Sequence, residues 1–146
     1  MSMRQDMRPD SGLLRVCATG RFSLDEAQRT FVEMMEAVAL HKTDRVLVDG
    51  RTIKGNPLTM ERFFYGEFAA GTVARYQERG LSLATRFAYV LREPVLDPKK
   101  FGETVAVNRC IRLKVFDNLE EAIKWLAPDS GSKGMIRRDN ANKAES

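Results

Sequence analysis

Arg45-Val46-Leu47-Val48-Asp49, closed by Gly50, is a short unbroken apolar run between two charged residues. Such a run suits a strand buried on both faces, the environment of a sheet with parallel neighbours. A parallel strand needs a crossover on each side, and the flanking sequence supplies helical patterns. Upstream, Leu24, Ala27, Phe31, Met34, Met35 and Val38 recur at three- and four-residue spacing, which predicts an amphipathic helix from Ser23 to Leu40. Ser23 with Glu26 fits the capping box S-x-x-E at its start. Downstream, Arg51–Leu58 is polar and carries Gly55 and Pro57, so it reads as a loop. Thr59 then reads as an N-cap. Met60, Phe63, Phe64, Phe68 and Ala70-Gly71 line one side of a helix reaching Arg79. Gly66 and Gly71 inside it mark either a close approach to a neighbour or a kink.

The same alternation continues outward. Leu13–Thr19 places Leu14, Val16 and Ala18 on one side and ends at Gly20, a strand pattern. Pro9-Asp10-Ser11-Gly12 before it is turn chemistry, so Met3–Arg8 is expected as a hairpin partner at the sheet edge. Arg86–Leu91 is another strand-length apolar run. Asp97-Pro98 opens a third helix, Lys99–Cys110, with Asp97 as cap and Pro98 as first helical residue. Leu113–Phe116 is a short strand, and Asp117-Asn118 caps a last helix, Leu119–Leu126, stopped by Pro128. Strands alternating with helices predict an α/β domain. The expected architecture is a mixed, partly parallel sheet of four or five strands with four helices, over residues 1–127. Residues 128–146, polar and rich in Ser, Gly, Asn and Lys, read as a disordered tail.

Length and composition agree with a single domain. At 146 residues the chain can bury roughly 68–70% of its unfolded surface without a disulfide or metal. With 43% hydrophobic and 30% charged residues it is neither a disordered tract nor a membrane protein. No window offers the roughly 18 apolar residues of a membrane span, and Met1–Asp10 lacks the apolar core of a secretion signal. A cytoplasmic location follows as the expectation. The net charge of +4 is spread among interleaved acids and bases, and only Lys133–Lys143 is a basic stretch, so no nucleic-acid partner is expected.

Chemistry-bearing motifs are sparse. Cys17 and Cys110 form no CxxC and lack neighbouring histidines, so no zinc site is expected and both are read as buried thiols. His41, the one histidine, sits at the polar end of a helix pattern and would have to serve any Ser–His or Cys–His pair alone. There is no GxSxG elbow and no glycine-rich phosphate cradle, so no cofactor is expected. The best local candidate is the segment leaving the central strand: Asp49, Arg51, Thr52, Asn56 and Thr59. In open α/β sheets, sites lie outside the carboxyl ends of the strands. Arg51 supplies a fixed cation, Thr52 and Thr59 hydroxyls, and the amides opening the Thr59 helix favour an anion. Capping and strand-end hydrogen bonds would account for the same residues. Asn108 and Arg109, ending the third helix, carry the same two readings, since Arg109 also complements a helix dipole.

Several segments together resemble the SpoIIAA-like family, related to the STAS (anti-sigma-factor antagonist) domain. They are Gly20-Arg21-Phe22-Ser23, Val46–Arg51, Ala88-Tyr89-Val90, Val105–Arg109 and Val115-Phe116-Asp117 with Glu121–Leu126. The closing phrase F-D-x-x-E-E-A-x-x-W-L is the most distinctive, and the similarity spans Leu13 to Leu126. The resemblance implies a mixed sheet with helices mainly on one side and a non-enzymatic bacterial regulatory domain that binds a protein partner. It also implies a phosphoacceptor in an Asp-Ser-Ser/Thr-Gly motif opening the helix after a central strand. Here that region reads Gly55-Asn56-Pro57-Leu58-Thr59; the motif is absent, and Thr59 alone can stand in as phosphoacceptor. Two rival readings remain. A related fold in lipid-transfer proteins suggests a small apolar ligand or lipid site beside Met60, Phe63, Phe64 and Phe68, which needs a cavity of roughly 300 Å³ or more. An enzyme using Asp49 with Arg51 would show a raised carboxyl pKa in a cleft. An apolar sheet edge or face would allow a homodimer.

Overall fold

A computed structural model describes residues 3–10, 12–97, 99, 104 and 111–127. Five strands and three helices lie within them: β1 Arg4–Asp10, β2 Leu13–Thr19, α1 Leu24–His41, β3 Arg45–Asp49, α2 Thr59–Glu78, β4 Arg86–Val90, β5 Arg112–Phe116 and α3 Leu119–Leu126. The strands form one sheet in the order β1-β2-β3-β4-β5, with β1 antiparallel to β2 and the other neighbours parallel. This is the mixed α/β sheet expected from the alternation. The third helix expected over Lys99–Cys110 lies outside the described residues apart from Lys99 and Thr104, as do Asn108, Arg109, Cys110 and the tail 128–146. Asp97 Oδ1 does accept from the Lys99 amide at 3.0 Å, as a capping residue would.

A sheet whose parallel strands run in sequence order places successive right-handed crossovers on one face. Accordingly α1 and α2 share a face, and their buried residues close over Leu14, Val16, Val46, Val48, Phe87, Tyr89 and Leu113. Strand alternation sends Leu47, Ala88, Val90 and Phe116 to the opposite face, where α3 covers them with Ala122 and Leu126. The distinctive closing phrase is thus the cover of the second face: Phe116 and Trp125 pack with ring centroids 5.9 Å apart. Arg86, stacked 5.9 Å from the Trp125 ring, donates to the Trp125 carbonyl at 2.9 Å, and Arg45 donates to the Leu126 carbonyl at 3.3 Å. Two adjacent strands thereby hold the negative end of the helix dipole.

Several local expectations need correction. Pro9 and Asp10 belong to β1 rather than to the turn, which an edge strand permits because the proline has no amide to offer a neighbour. Ser23 is extended at the N-cap but its hydroxyl makes no capping bond. The other half of the expected box is diverted, since Glu26 Oε1 accepts the Met3 amide at 3.0 Å and ties β1 to α1. On α2 the N-cap position is Leu58, with Thr59 the first helical residue; Glu61 Oε1 reaches back to the Leu58 amide at 2.8 Å. The buried side of α2 is Gly66, Ala69, Ala70, Thr72 and Val73, while Met60 and Phe64 are exposed. Cys17 is exposed because it points to the second face over β2, whereas α3 lies over β3–β5.

Candidate functional site

The carboxyl ends of β2, β3 and β4, the amino-terminal ends of α1 and α2, and the loops between them meet at one end of the molecule. Two short bonds fix these loops. The Phe22 amide donates to the Lys54 carbonyl at 2.8 Å, and the Lys54 amide donates to the Gly20 carbonyl at 2.8 Å. The clasp needs left-handed backbone at Gly20 (φ 104°) and Gly55 (φ 118°), values that suit glycine. Gly50 leaves room for two side-chain ends: a Cβ there would lie 2.9 Å from both Ile53 Cδ1 and Leu91 Cδ2, which would have to shift. Its amide bonds the Val90 carbonyl at 2.8 Å, and its carbonyl accepts from Ile53 at 3.1 Å, turning the chain directly off β3.

On this scaffold Asp49 and Arg51 form a two-pronged ion pair. Arg51 Nε donates to Oδ1 at 2.9 Å and Nη2 donates to Oδ2 at 2.8 Å. The Arg51 amide adds a third bond to Oδ1 at 3.2 Å. Their side chains retain 16% and 33% of their accessible surface, so the pair sits at the rim. The Arg51 guanidinium holds the Asp49 carboxyl below the usual carboxylate range, chiefly by side-chain hydrogen bonding, against a partial desolvation penalty. The raised carboxyl that acid–base chemistry would require is not present at Asp49. Thr52, Asn56 and Thr59 are exposed on the same loop and helix start. Among the sequence candidates, direct hydrogen bonding joins Asp49 and Arg51.

Sequence reasoning missed two features here. The first is an exposed apolar group on the opening turns of α2: Leu58, Met60 and Phe64 keep 67%, 65% and 46% of their surface. The spacing puts Met60 and Phe64 on one side of the helix, and the structure turns both to solvent. The second is an apolar cavity of about 140 Å³ between the α1–α2 layer and the sheet. Ile53 and Pro57 of the loop line it, and the hydroxyls of Tyr65 and Tyr89 meet at 2.7 Å beside it. It is well below the roughly 300 Å³ that a carrier of larger apolar molecules would need. Among the described residues no cluster of three His, Cys, Asp or Glu side chains could hold a metal ion. No described helix is long and apolar enough to cross a membrane.

Neither a family model nor a curated protein matches the chain. Among solved structures, an anti-sigma factor antagonist from Mycobacterium paratuberculosis superposes with a TM-score of 0.54 at 14% identity, covering 86% of this chain and 94% of that one. The chain shares the fold of that protein. A protein from the DUF3478 family with a SpoIIAA-like fold, from Shewanella loihica, is also similar, at a TM-score of 0.47 and 16% identity over 86% and 94% of the two chains. The first of these two likenesses bears out, as a fold, the resemblance carried by the sequence segments, and at 14% identity it is a likeness of fold alone. Within this antagonist-type fold, the Asp49–Thr59 segment forms the turn from a central strand into the following helix.

Proposed function

We propose that this chain is a non-enzymatic regulatory domain that recognises a protein partner with the carboxyl end of its sheet. The exposed Leu58, Met60 and Phe64 carry this reading, because apolar side chains grouped beside a polar rim mark interaction sites on folded domains. The glycine clasp supports it: a loop already held in place loses little freedom on binding. The Asp49–Arg51 pair, Thr52 and Asn56, on the loop that leads into this helix, would supply the polar contacts that accompany an apolar centre at a protein interface. The anti-sigma factor antagonist fold favours a protein partner over a substrate. The low-pKa Asp49 carboxylate is a weak base, which favours recognition over proton transfer.

Thr59 is the phosphoacceptor candidate in this reading. It is exposed at the first helical position, where a phosphate would gain from the helix dipole while setting roughly two negative charges beside Met60. Phosphorylation would therefore leave the fold intact and weaken an apolar contact.

Affinity capture from bacterial lysate with quantitative mass spectrometry tests the assignment. Wild type should retain a specific protein that Met60→Asp, Phe64→Asp and Thr59→Glu release. Leu40→Asp, at an exposed leucine outside the proposed surface, should retain it. Equal capture by all variants, with circular dichroism showing each folded, would defeat the proposal.

A further inference from the structure

The cavity beneath the loop has a composition and size that specify a ligand. Its wall is apolar: Phe31 and Met34 from α1, Ala69 from α2, Leu113 from β5, and Ile53 and Pro57 from the loop. At about 140 Å³ it nearly equals the engineered apolar cavity of about 150 Å³ that takes up benzene. Such a volume encloses a single ring with a small substituent, whereas it would take up only a few carbons of a long acyl chain.

One polar feature interrupts the wall. Tyr65 and Tyr89 carry two hydroxyl protons between them, and their mutual contact at 2.7 Å uses one. Among the described residues the structure records no further hydrogen bond for either hydroxyl. Tyr89 keeps only 8% of its surface, and burial drives both phenols above their ordinary pKa, so both stay protonated at neutral pH. One O–H of the pair is left to donate beside the cavity, whichever tyrosine carries it. A buried donor without an acceptor costs free energy that a carbonyl oxygen would recover. The polar side chains at the rim are already engaged. Gln5 donates to the Thr30 carbonyl at 2.7 Å, and Arg62 donates to the carbonyls of Val95 and Pro94 at 2.7 and 2.8 Å. Arg62 and Asp97 put one charge of each sign in the lining, so a carboxylate would lose its hydration here without a net opposite charge to compensate.

We infer that this cavity binds a small neutral monocyclic compound bearing one carbonyl acceptor, oriented by the Tyr65–Tyr89 hydroxyl pair. This site is separate from the proposed protein surface, although Ile53 and Pro57 belong to the loop that surface uses. Ligand uptake would pack against the loop from within while leaving Leu58, Met60 and Phe64 outside.

Acetophenone is a suitable probe, with α-methylstyrene as its hydrocarbon isostere. Titrating either into the labelled full chain should shift the amide resonances of Phe31, Ala69 and Leu113 saturably. Acetophenone should bind roughly 3- to 10-fold more tightly, the worth of one net hydrogen bond. The Tyr65→Phe/Tyr89→Phe double variant should abolish that preference and still bind both. Ala69→Leu fills the space from α2 and should abolish binding of both probes; Ala27→Leu does the same from α1 should the first variant unfold. Absence of saturable shifts, shifts centred on Met60 and Phe64, an unchanged preference in the double variant, or binding that survives both fillings would each overturn the inference.

Discussion

At Asp49 three donors from Arg51 converge on one carboxylate, and the geometry has a titration signature. The charged form is favoured, so the carboxyl in the folded chain titrates below 3.8, its ordinary value. The unfolded chain then takes up its proton first as pH falls, so the pair's stabilisation is full above the ordinary value and is lost as acid reaches the folded pKa. Carboxyl chemical shifts followed against pH should show Asp49 below 3.8 in wild type and moved upward in Arg51→Ala. An unmoved midpoint would mean that the pair is not held as described. Gly55 gives a second single-residue outcome. Its φ of 118° is a conformation that side-chain-bearing residues rarely adopt, so Gly55→Ala should destabilise by about 1–3 kcal/mol in urea unfolding. Gly50→Ala, whose clash is with the flexible ends of Ile53 and Leu91, should cost less. Sequence alone placed Asp49, Arg51 and both glycines in the right loop. The ion pair and the clasp between Gly20 and Lys54 arise only when two loops distant in sequence are brought together.

The element scale shows where periodicity decides and where it does not. Strand β3 was legible to the residue because three apolar residues closed by a charge at each end have one way to be buried on both faces. Helix α2 was legible as a helix but not in its orientation. It carries two overlapping stripes, one of large residues through Met60 and Phe64, and one of smaller residues through Gly66, Ala69, Ala70 and Val73. Residue size favours the first. Close packing of α2 on α1 favours the second, because small side chains let backbones approach, and the second is buried. Helix α3 is short, at eight residues, and too brief to persist alone. Asn118 Oδ1 accepts the Glu121 amide at 3.1 Å at its start, while Arg86 and Arg45 hold its end. Arg86→Ala removes a charge-assisted bond and the ring contact with Trp125, so it should destabilise by about 1–2 kcal/mol. Hydrogen exchange should then accelerate in Leu119–Leu126 before it does in β3. Uniform acceleration across the sheet would mean instead that α3 is held by Leu126 and Ala122 packing alone.

Across the whole molecule, the sheet divides labour between its faces. The α3 side carries the Asp49–Arg51 pair at its rim, and the α1–α2 side holds the main core, the cavity and the tyrosine pair. Neither cavity nor pair was legible in the sequence, because Tyr65 and Tyr89 meet only through the crossover that lays α2 over β4. Their burial makes global stability depend on alkaline pH in a direction that can be worked out. An ordinary tyrosine loses its proton near pH 10, whereas Tyr65 in the folded chain does so at about 12 and Tyr89 also well above 10. Below pH 10 folded and unfolded chains hold the same phenol protons, and the contribution is fully present. Above it the unfolded chain releases protons that the folded chain keeps, so stability falls as pH climbs toward 12, by up to about 1.4 kcal/mol per pH unit for each retained proton. Urea unfolding between pH 9 and pH 11.5 should therefore show a steep loss in wild type and a shallower one in the Tyr65→Phe/Tyr89→Phe variant. The difference between the two curves isolates the pair from lysines and from Tyr76, which titrate in both. Parallel curves would place the two hydroxyls in contact with water, and both the tyrosine burial and the donor it offers to the cavity would fall together.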